Sequence, residues 1–264
     1  MKKYWQLFKT WLGRTLIYRA RVVIWFCTDI IQFAVMPFIW LSVYGSRVSI
    51  GGYSKTGIIT YYAVGAFIST VASSHIASII RKEINQGSLN KYLVKPVSFL
   101  FSECIHKFSF KVVSTLLILI LGAGVAVCFP SLWAFPQSPI TILLFCLSVL
   151  FSLAIAQILQ LIIGVSAIWL GEVTALSQVH RILSSVFSGE LAPLTFFPLF
   201  FQTLAGALPF FYMTYFPIQI FLEKIPFNQI GWYFLGALAW VAGLGGLLFL
   251  MWKRALKHYD GSSM

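Results

Sequence analysis

The residues best suited to bind a soluble partner lie in one stretch, residues 81–96, between two long apolar runs. Its basic side chains surround a single acid, Glu83; they are Arg81, Lys82, Lys91 and Lys95. Apolar residues recur at helical spacing, which predicts a short amphipathic helix; they are Ile84, Leu89, Tyr92 and Leu93. Gly87 permits a bend, and Pro96 ends the pattern. Such a helix could dock on a partner protein, although a solvated loop fits the same pattern.

Composition indicates that the solvent of this chain is a lipid bilayer. Of its 264 residues, 59% are hydrophobic and only 10% are charged, against about a quarter charged in soluble proteins. We therefore predict an all-α integral membrane protein whose residues 1–264 form one transmembrane domain. The net charge of +12 would suggest nucleic acid binding in a soluble protein. Here membrane topology explains it, so we expect no nucleic acid partner. The four cysteines lack C-x-x-C spacing and predict no disulfide or metal site.

The hydropathy pattern predicts six transmembrane helices. They cover about residues 22–44, 57–80, 108–129 and 140–170, a fifth run that begins near Ile182, and residues 230–252. Residues 1–21 mix basic residues with Trp, Tyr and Leu on opposite helical faces, which predicts an amphipathic helix lying on the membrane lipid at the cytoplasmic surface. Residues 194–217 are interrupted by prolines and are better interpreted as a re-entrant helical hairpin before the last span.

The distribution of charge predicts the orientation. With six spans, 16 of the 19 Lys and Arg residues fall on the side of the N-terminus. The positive-inside rule then places both termini in the cytoplasm. A seventh crossing at the re-entrant region would carry the basic C-terminal tail to the outside, which contradicts the same rule.

Asp29 is the one acid deep in the first predicted span, about 12 Å along the helix from Arg21. A carboxylate at this depth must face protein, water or a basic partner. Two interpretations remain: a structural acid paired with Arg19 or Arg21, or a residue that lines the substrate route.

Motifs that would supply energy or catalysis are missing from the sequence. It contains no G-x-x-x-x-G-K-[ST], H-E-x-x-H, G-x-S-x-G or dinucleotide fingerprint. Nor does it show the paired ionisable residues near the bilayer midplane that ion-coupled carriers usually have. We therefore expect no catalytic residue, no metal site and no cofactor in this chain. Uphill transport would need a partner that hydrolyses nucleotide.

Three stretches, taken in order, resemble the membrane subunits of bacterial type-2 ABC transporters. They are EINQGSLNKYLVKP at residues 83–96, SGELAPLTFFP at residues 188–198, and LPFFY with YFPIQ at residues 208–212 and 215–219. The resemblance spans nearly the whole chain. It is closest to the group in which two related permeases accompany one ATPase.

The resemblance implies a permease of an ATP-driven exporter in the bacterial cytoplasmic membrane. Two copies of an ATPase subunit, which binds ATP and Mg, would drive it, and a second permease chain, sibling or copy, would complete the route. Residues expected to couple to the ATPase are Arg81, Lys82, Glu83, Gly87, Leu89, Lys91, Tyr92, Leu93, Lys95 and Pro96. Residues expected to form a re-entrant outer gate are Gly189, Glu190, Pro193, Pro198, Pro209, Phe210 and Pro217. The competing functions are a secondary carrier or channel that works without an ATPase, and a membrane scaffold.

Overall fold

The computed structural model describes residues 2–17, 19–72, 75–87 and 98–258, and these residues are mostly helical. The helices are α1 (Lys2–Ile17), α2 (Arg19–Tyr44), α3 (Lys55–Ala72), α4 (Ile76–Asn85), α5 (Phe99–Cys128), α6 (Pro139–Val165), α7 (Ala167–Leu170), α8 (Thr174–Phe187), α9 (Leu199–Ala207), α10 (Tyr215–Phe221) and α11 (Phe227–His258). Three 3-10 turns lie at Pro130–Leu132, Leu194–Phe196 and Pro209–Tyr212. A small antiparallel hairpin pairs β1 (Ser49–Ile50) with β2 (Tyr53–Ser54).

Four helical segments among the described residues are long and apolar enough to cross a bilayer. They are Lys55–Asn85, Phe99–Cys128, Pro139–Leu170 and Phe227–Lys257. A fifth is possible if α9 and the following segment Pro209–Phe221, which meet at 81°, form one broken span. The chain is therefore an all-α, multi-pass membrane protein. The predicted total of six spans, and the interpretation of the bent pair as a re-entrant hairpin, stay predictions.

The first and fifth predicted spans differ most from the structure. Helix α2 runs as one helix of 26 residues through Pro37. Its apolar part among the described side chains is the short segment Val35–Tyr44. Helix α8 has only 14 residues, about 21 Å at 1.5 Å per residue, whereas a crossing needs about 30 Å. The apolar run that begins near Ile182 is thus divided by turns into short helices, because glycine and prolines interrupt it.

The second and third spans are longer than hydropathy predicts. Helix α4 carries the second span on to Asn85, and α5 begins at Phe99, nine residues before the predicted start at 108. Both extensions are amphipathic, so their charged residues lower the hydropathy average without ending the helix. The charged residues Arg81, Lys82 and Glu83 therefore lie in a helix that continues a transmembrane segment.

Contacts between loops define two ends of the bundle. The basic end comprises α1 and residues 81–87, 98–111, 171–174 and 252–258. Arg81 pairs with Glu172 there, and Phe99 stacks on Trp252 with ring centroids 6.0 Å apart. The hairpin end comprises residues 45–56, 129–138 and 222–227. A buried aromatic cluster lies towards the hairpin end and includes Tyr44, Tyr53, Tyr61, Tyr62 and Phe216.

Helices α4 and α6 approach closely at Gly164. A Cβ atom there would lie 2.9 Å from Ile80 Cβ and 3.1 Å from Ala77 Cα. We expect Gly164→Val to destabilise the protein by about 1–3 kcal/mol, because two packed helices must separate. Thermal unfolding of the purified protein measures this. Gly122→Val is the control, since an added Cβ at Gly122 meets no atom within 4 Å. Equal melting temperatures for the two variants would contradict the close approach of α4 and α6 at Gly164.

Candidate coupling surface

Helix α4 is amphipathic, and its apolar face is held against the bundle. Ile76, Ile80 and Ile84 repeat every four residues, so they share one face. They are 0%, 0% and 7% exposed and pack in a second apolar cluster with α5 and α6. The charged residues Arg81 and Glu83 lie on the less buried part of the helix. Burial of one face fixes the direction of the helix and leaves its charged face available to a partner.

Two polar contacts tie the end of α4 to the turn that leads into α8. Arg81 Nη1 lies 2.8 Å from Glu172 Oε2, and Asn85 Nδ2 donates to the carbonyl oxygen of Gly171 at 2.9 Å. Glu172 Oε1 accepts hydrogen bonds from the Val173 and Thr174 amides at 2.9 and 2.8 Å. The carboxylate therefore caps the start of α8 while it holds Arg81. These contacts join the end of α4 to the start of α8.

The carboxyl group of Glu172 should make this connection sensitive to acid. Hydrogen bonds from the Thr174 side chain and amide, and then the charge of Arg81, lower the pKa of Glu172. Its stabilising effect is thus complete above its unfolded pKa of about 4.3 and is lost as pH falls through the lower folded value. We expect Glu172→Gln to melt at a lower temperature than wild type at pH 7. The difference should shrink as the pH falls through the folded pKa of Glu172; a difference that does not change with pH would mean that the carboxylate is not responsible.

The helix ends where a bend was predicted. The Gln86 amide donates to Lys82 O and the Gly87 amide to Ile84 O, both at 3.0 Å. Gly87 has a positive φ of 65°, a conformation that glycine adopts without a steric penalty. Helix α4 therefore ends at Asn85, just before this glycine. The remaining predicted coupling residues lie outside the described residues; they are Leu89, Lys91, Tyr92, Leu93, Lys95 and Pro96.

The far side of the same stretch is anchored by α1. Tyr4 contacts Phe101 edge-on with ring centroids 4.8 Å apart, and Trp11 stacks on His106 at 3.7 Å. The Oη of Tyr4 accepts a hydrogen bond from the Ser98 amide at 3.4 Å. The N-terminal helix therefore packs along the first turns of α5 rather than standing apart. Trp5 on this helix is 58% exposed, which agrees with a helix that has one face turned to its surroundings.

A buried acid lies beneath this contact. Glu103 is 4% exposed, and its Oε2 lies 3.4 Å from Nδ1 of His106. Trp11 stacks on the histidine ring, so the pair lies at the contact between α1 and α5, with the His106 side chain 32% exposed. The predicted list of coupling residues did not include this pair.

The predicted gate residues are brought together around a turn that follows α8. Gly189 has φ of 76°, and its carbonyl oxygen accepts a hydrogen bond from Tyr61 Oη at 2.5 Å. Tyr62 Oη donates to Leu191 O at 2.8 Å. Glu190 is half-buried, and Pro193 is buried. Helix α3 thus holds the beginning of this region through two tyrosines, which sequence reasoning did not select.

The later gate residues mark boundaries of the short helices. Pro198 precedes α9, Pro209 begins the turn Pro209–Tyr212, and Pro217 lies inside α10. Phe210 is 9% exposed, and its ring centroid lies 5.7 Å from that of His180 on α8. The predicted gate residues all belong to the turns and short helices between α8 and α11. Asp29 lies in α2, but its side chain is outside the described residues.

The geometry brings together a partly exposed charged helix end, a capped turn and two anchored transmembrane segments at the basic end. A family model described as "ABC-2 family transporter protein" matches residues 30–263 of the chain. A comparison with curated proteins gives no match.

Proposed function

Because the chain belongs to the ABC-2 family of transporter membrane proteins, in which the membrane subunit is a permease that works with an ATPase, we propose that it is the permease of an exporter. Two copies of a separate ATPase subunit bind ATP and Mg and supply the energy. A second permease chain, copy or sibling, completes the translocation route. The export direction follows from the resemblance of residues 83–96, 188–198 and 208–219 to exporter permeases.

The observation that carries the proposal is the connection between α4 and the start of α8. Helix α4 continues the transmembrane segment Lys55–Asn85, and the Arg81–Glu172 and Asn85–Gly171 contacts join it to the turn between the segment Pro139–Leu170 and α8. On the other side of residues 88–97, α5 is packed against α1 and Trp252. A partner that displaces the short stretch between these anchors would therefore move several helices together. Such a lever can shift a bundle between two states.

The basic end faces the cytoplasm in this proposal, and the hairpin end faces the outside of a bacterial inner membrane. The positive-inside rule places the side that is rich in Lys and Arg in the cytoplasm. Arg81 and Lys82 belong to that side, whereas Arg47 and Lys224 are among the few cations on the opposite side. Both termini are then cytoplasmic. The ATPase meets the charged face of α4 and residues 88–96. The bent pair α9 and α10 closes the route at the outside.

Co-purification tests the function directly. The full chain is expressed with the ATPase of its transporter and solubilised in mild detergent, and a tag on the permease is used for purification. We expect the ATPase to be recovered with the permease in stoichiometric amount. Proteoliposomes that contain the permease alone should neither conduct nor transport. Activity of the chain by itself would instead indicate a secondary carrier or channel.

A further inference from the structure

A cavity of about 720 Å³ opens at the hairpin end, remote from the coupling surface. The β-hairpin, α9, α10 and the start of α11 surround it. Its polar lining comes mainly from tyrosine and glutamine, and includes Tyr53, Tyr215, Tyr233, Gln202, Gln219 and Lys224. The volume lies within the range of about 300–1,000 Å³ that is usual for small-molecule sites.

Lys224 is the only charged side chain among the described residues that line this cavity. Its ammonium group donates to the carbonyl oxygen of Gly52 at 2.6 Å and lies 4.0 Å from the ring centroid of Tyr53. An ammonium group has three N–H donors, so two remain for a bound acceptor. Partial burial lowers the pKa of Lys224, and an anion beside it would offset this cost of desolvation.

The neighbouring acid is turned to another loop. Glu223 Oε1 accepts hydrogen bonds from the Gln137 amide at 3.1 Å and from Thr141 Oγ1 at 2.9 Å. These contacts hold the carboxylate on residues 137–141. The lining of the cavity therefore carries one positive charge, which favours an anion.

Apolar residues complete the cavity. Leu194, Phe211 and Ile225 line it together with Pro226. Leu194 and Phe211 are 2% and 7% exposed, so they also belong to the packed core. One cation beside an apolar wall suits a molecule that carries an anionic group on a hydrocarbon body.

We propose that this cavity binds an amphipathic oxyanion, with its phosphate or carboxylate group at Lys224 and its apolar part against Ile225 and Pro226, which are the more exposed apolar residues of the lining. Gln229 and Tyr233, which line the cavity without being buried, supply hydrogen bonds to oxygen atoms around the charge. The site goes beyond the proposed coupling function and does not depend on it. The same chemistry could come from a lipid headgroup or from a small free anion, and the apolar wall favours the lipid-like molecule.

The test is a calorimetric titration: dihexanoyl phosphatidic acid is added to the purified full chain in nonionic detergent, and the heat of binding is measured. We expect binding that weakens at least tenfold in Lys224→Met and is largely kept in Lys224→Arg. Dihexanoyl phosphatidylcholine and inorganic phosphate should each bind at least tenfold more weakly than the phosphatidic acid. Lys55→Met is the matched control, because Lys55 donates to Gly45 O at 2.8 Å at the same end without lining the cavity.

A second pair of variants tests the cavity without changing charge: one fills it, and the other is the control. Gly206 lines the cavity, and an added Cβ there meets no atom within 4 Å. Gly206→Phe should therefore fold and weaken phosphatidic acid binding at least tenfold. Gly243→Phe, at an equally open position on α11 outside the cavity lining, should bind as wild type does.

Three results would overturn the proposal. They are unchanged phosphatidic acid binding in folded Lys224→Met or Gly206→Phe, equal losses in the control variants, and inorganic phosphate binding as tight as that of the phosphatidic acid. The assay contains no ATPase. Its failure would therefore leave the coupling function untouched, and loss of ATPase binding would leave this site untouched.

Discussion

Glu83→Lys is expected to reduce the amount of ATPase recovered with the permease at least tenfold. Glu83 lies on α4 beside Arg81 and Lys82 and is only partly exposed. Reversal of its charge adds a third adjacent cation to a face that is proposed to meet a partner. Like charges at an interface cost several kcal/mol, and about 1.4 kcal/mol already corresponds to tenfold in affinity. Quantified co-purification, with a melting curve for each variant, measures the effect.

Arg47→Glu is the matched control for this prediction. Arg47 is an exposed cation at the hairpin end, so reversal of its charge should leave ATPase recovery unchanged. Gly87→Trp provides a second variant of the coupling surface. Its positive φ of 65° costs about 1–2 kcal/mol for a residue other than glycine, and the bulky ring follows directly on α4. Wild-type recovery of the ATPase with both Glu83→Lys and Gly87→Trp would reject the assigned docking face.

Gly189→Val should cause the largest loss of stability among the variants considered. The residue has φ of 76°, and its added Cβ would lie 2.7 Å from Tyr61 Oη and 3.0 Å from Tyr215 Cδ2. Tyr61 is 1% exposed and cannot move aside without losing its hydrogen bond to Gly189 O. We expect destabilisation of about 2–5 kcal/mol, because backbone strain and overpacking both act. Thermal unfolding in detergent provides the measurement.

Two further variants separate the causes. Gly231→Val introduces the same side chain at an open helical position, where an added Cβ meets nothing within 4 Å, and should melt close to wild type. Tyr61→Phe keeps the ring and removes only its hydroxyl, so it should cost about 1–3 kcal/mol through the unpaired Gly189 carbonyl. If Gly189→Val melted at the same temperature as Gly231→Val, the close approach of α3 to this turn would be wrong.

Hydropathy predicted the helical class and the segments that correspond to Lys55–Asn85, Phe99–Cys128, Pro139–Leu170 and Phe227–Lys257. Their apolar length alone carries this information. Hydropathy predicted the helix ends at Asn85 and Phe99 poorly, because charged residues continue a helix after it leaves an apolar environment. The proline-rich region was recognised as broken, since proline removes backbone hydrogen bonds. Its division into α9, the turn and α10 depends on tertiary packing.

The contacts that organise the site could not be predicted from one sequence. Arg81 and Glu172 are 91 residues apart, and Tyr61 and Gly189 are 128 apart. No local spacing relates such residues. The sequence identified the charged stretch and the glycine that ends α4. The partners of that stretch, and the cavity around Lys224, required the three-dimensional arrangement.

Site-specific photo-cross-linking tests the central claim most directly. A benzophenone amino acid is placed at position 83 on α4 or at position 47 at the hairpin end, and cells that contain the whole transporter are irradiated. We predict a covalent permease–ATPase product from position 83 and none from position 47. Two results would contradict the proposal that a cytoplasmic ATPase drives this permease through α4. One is a permease–ATPase product from position 47; the other is no such product from position 83 or from any other position of α4.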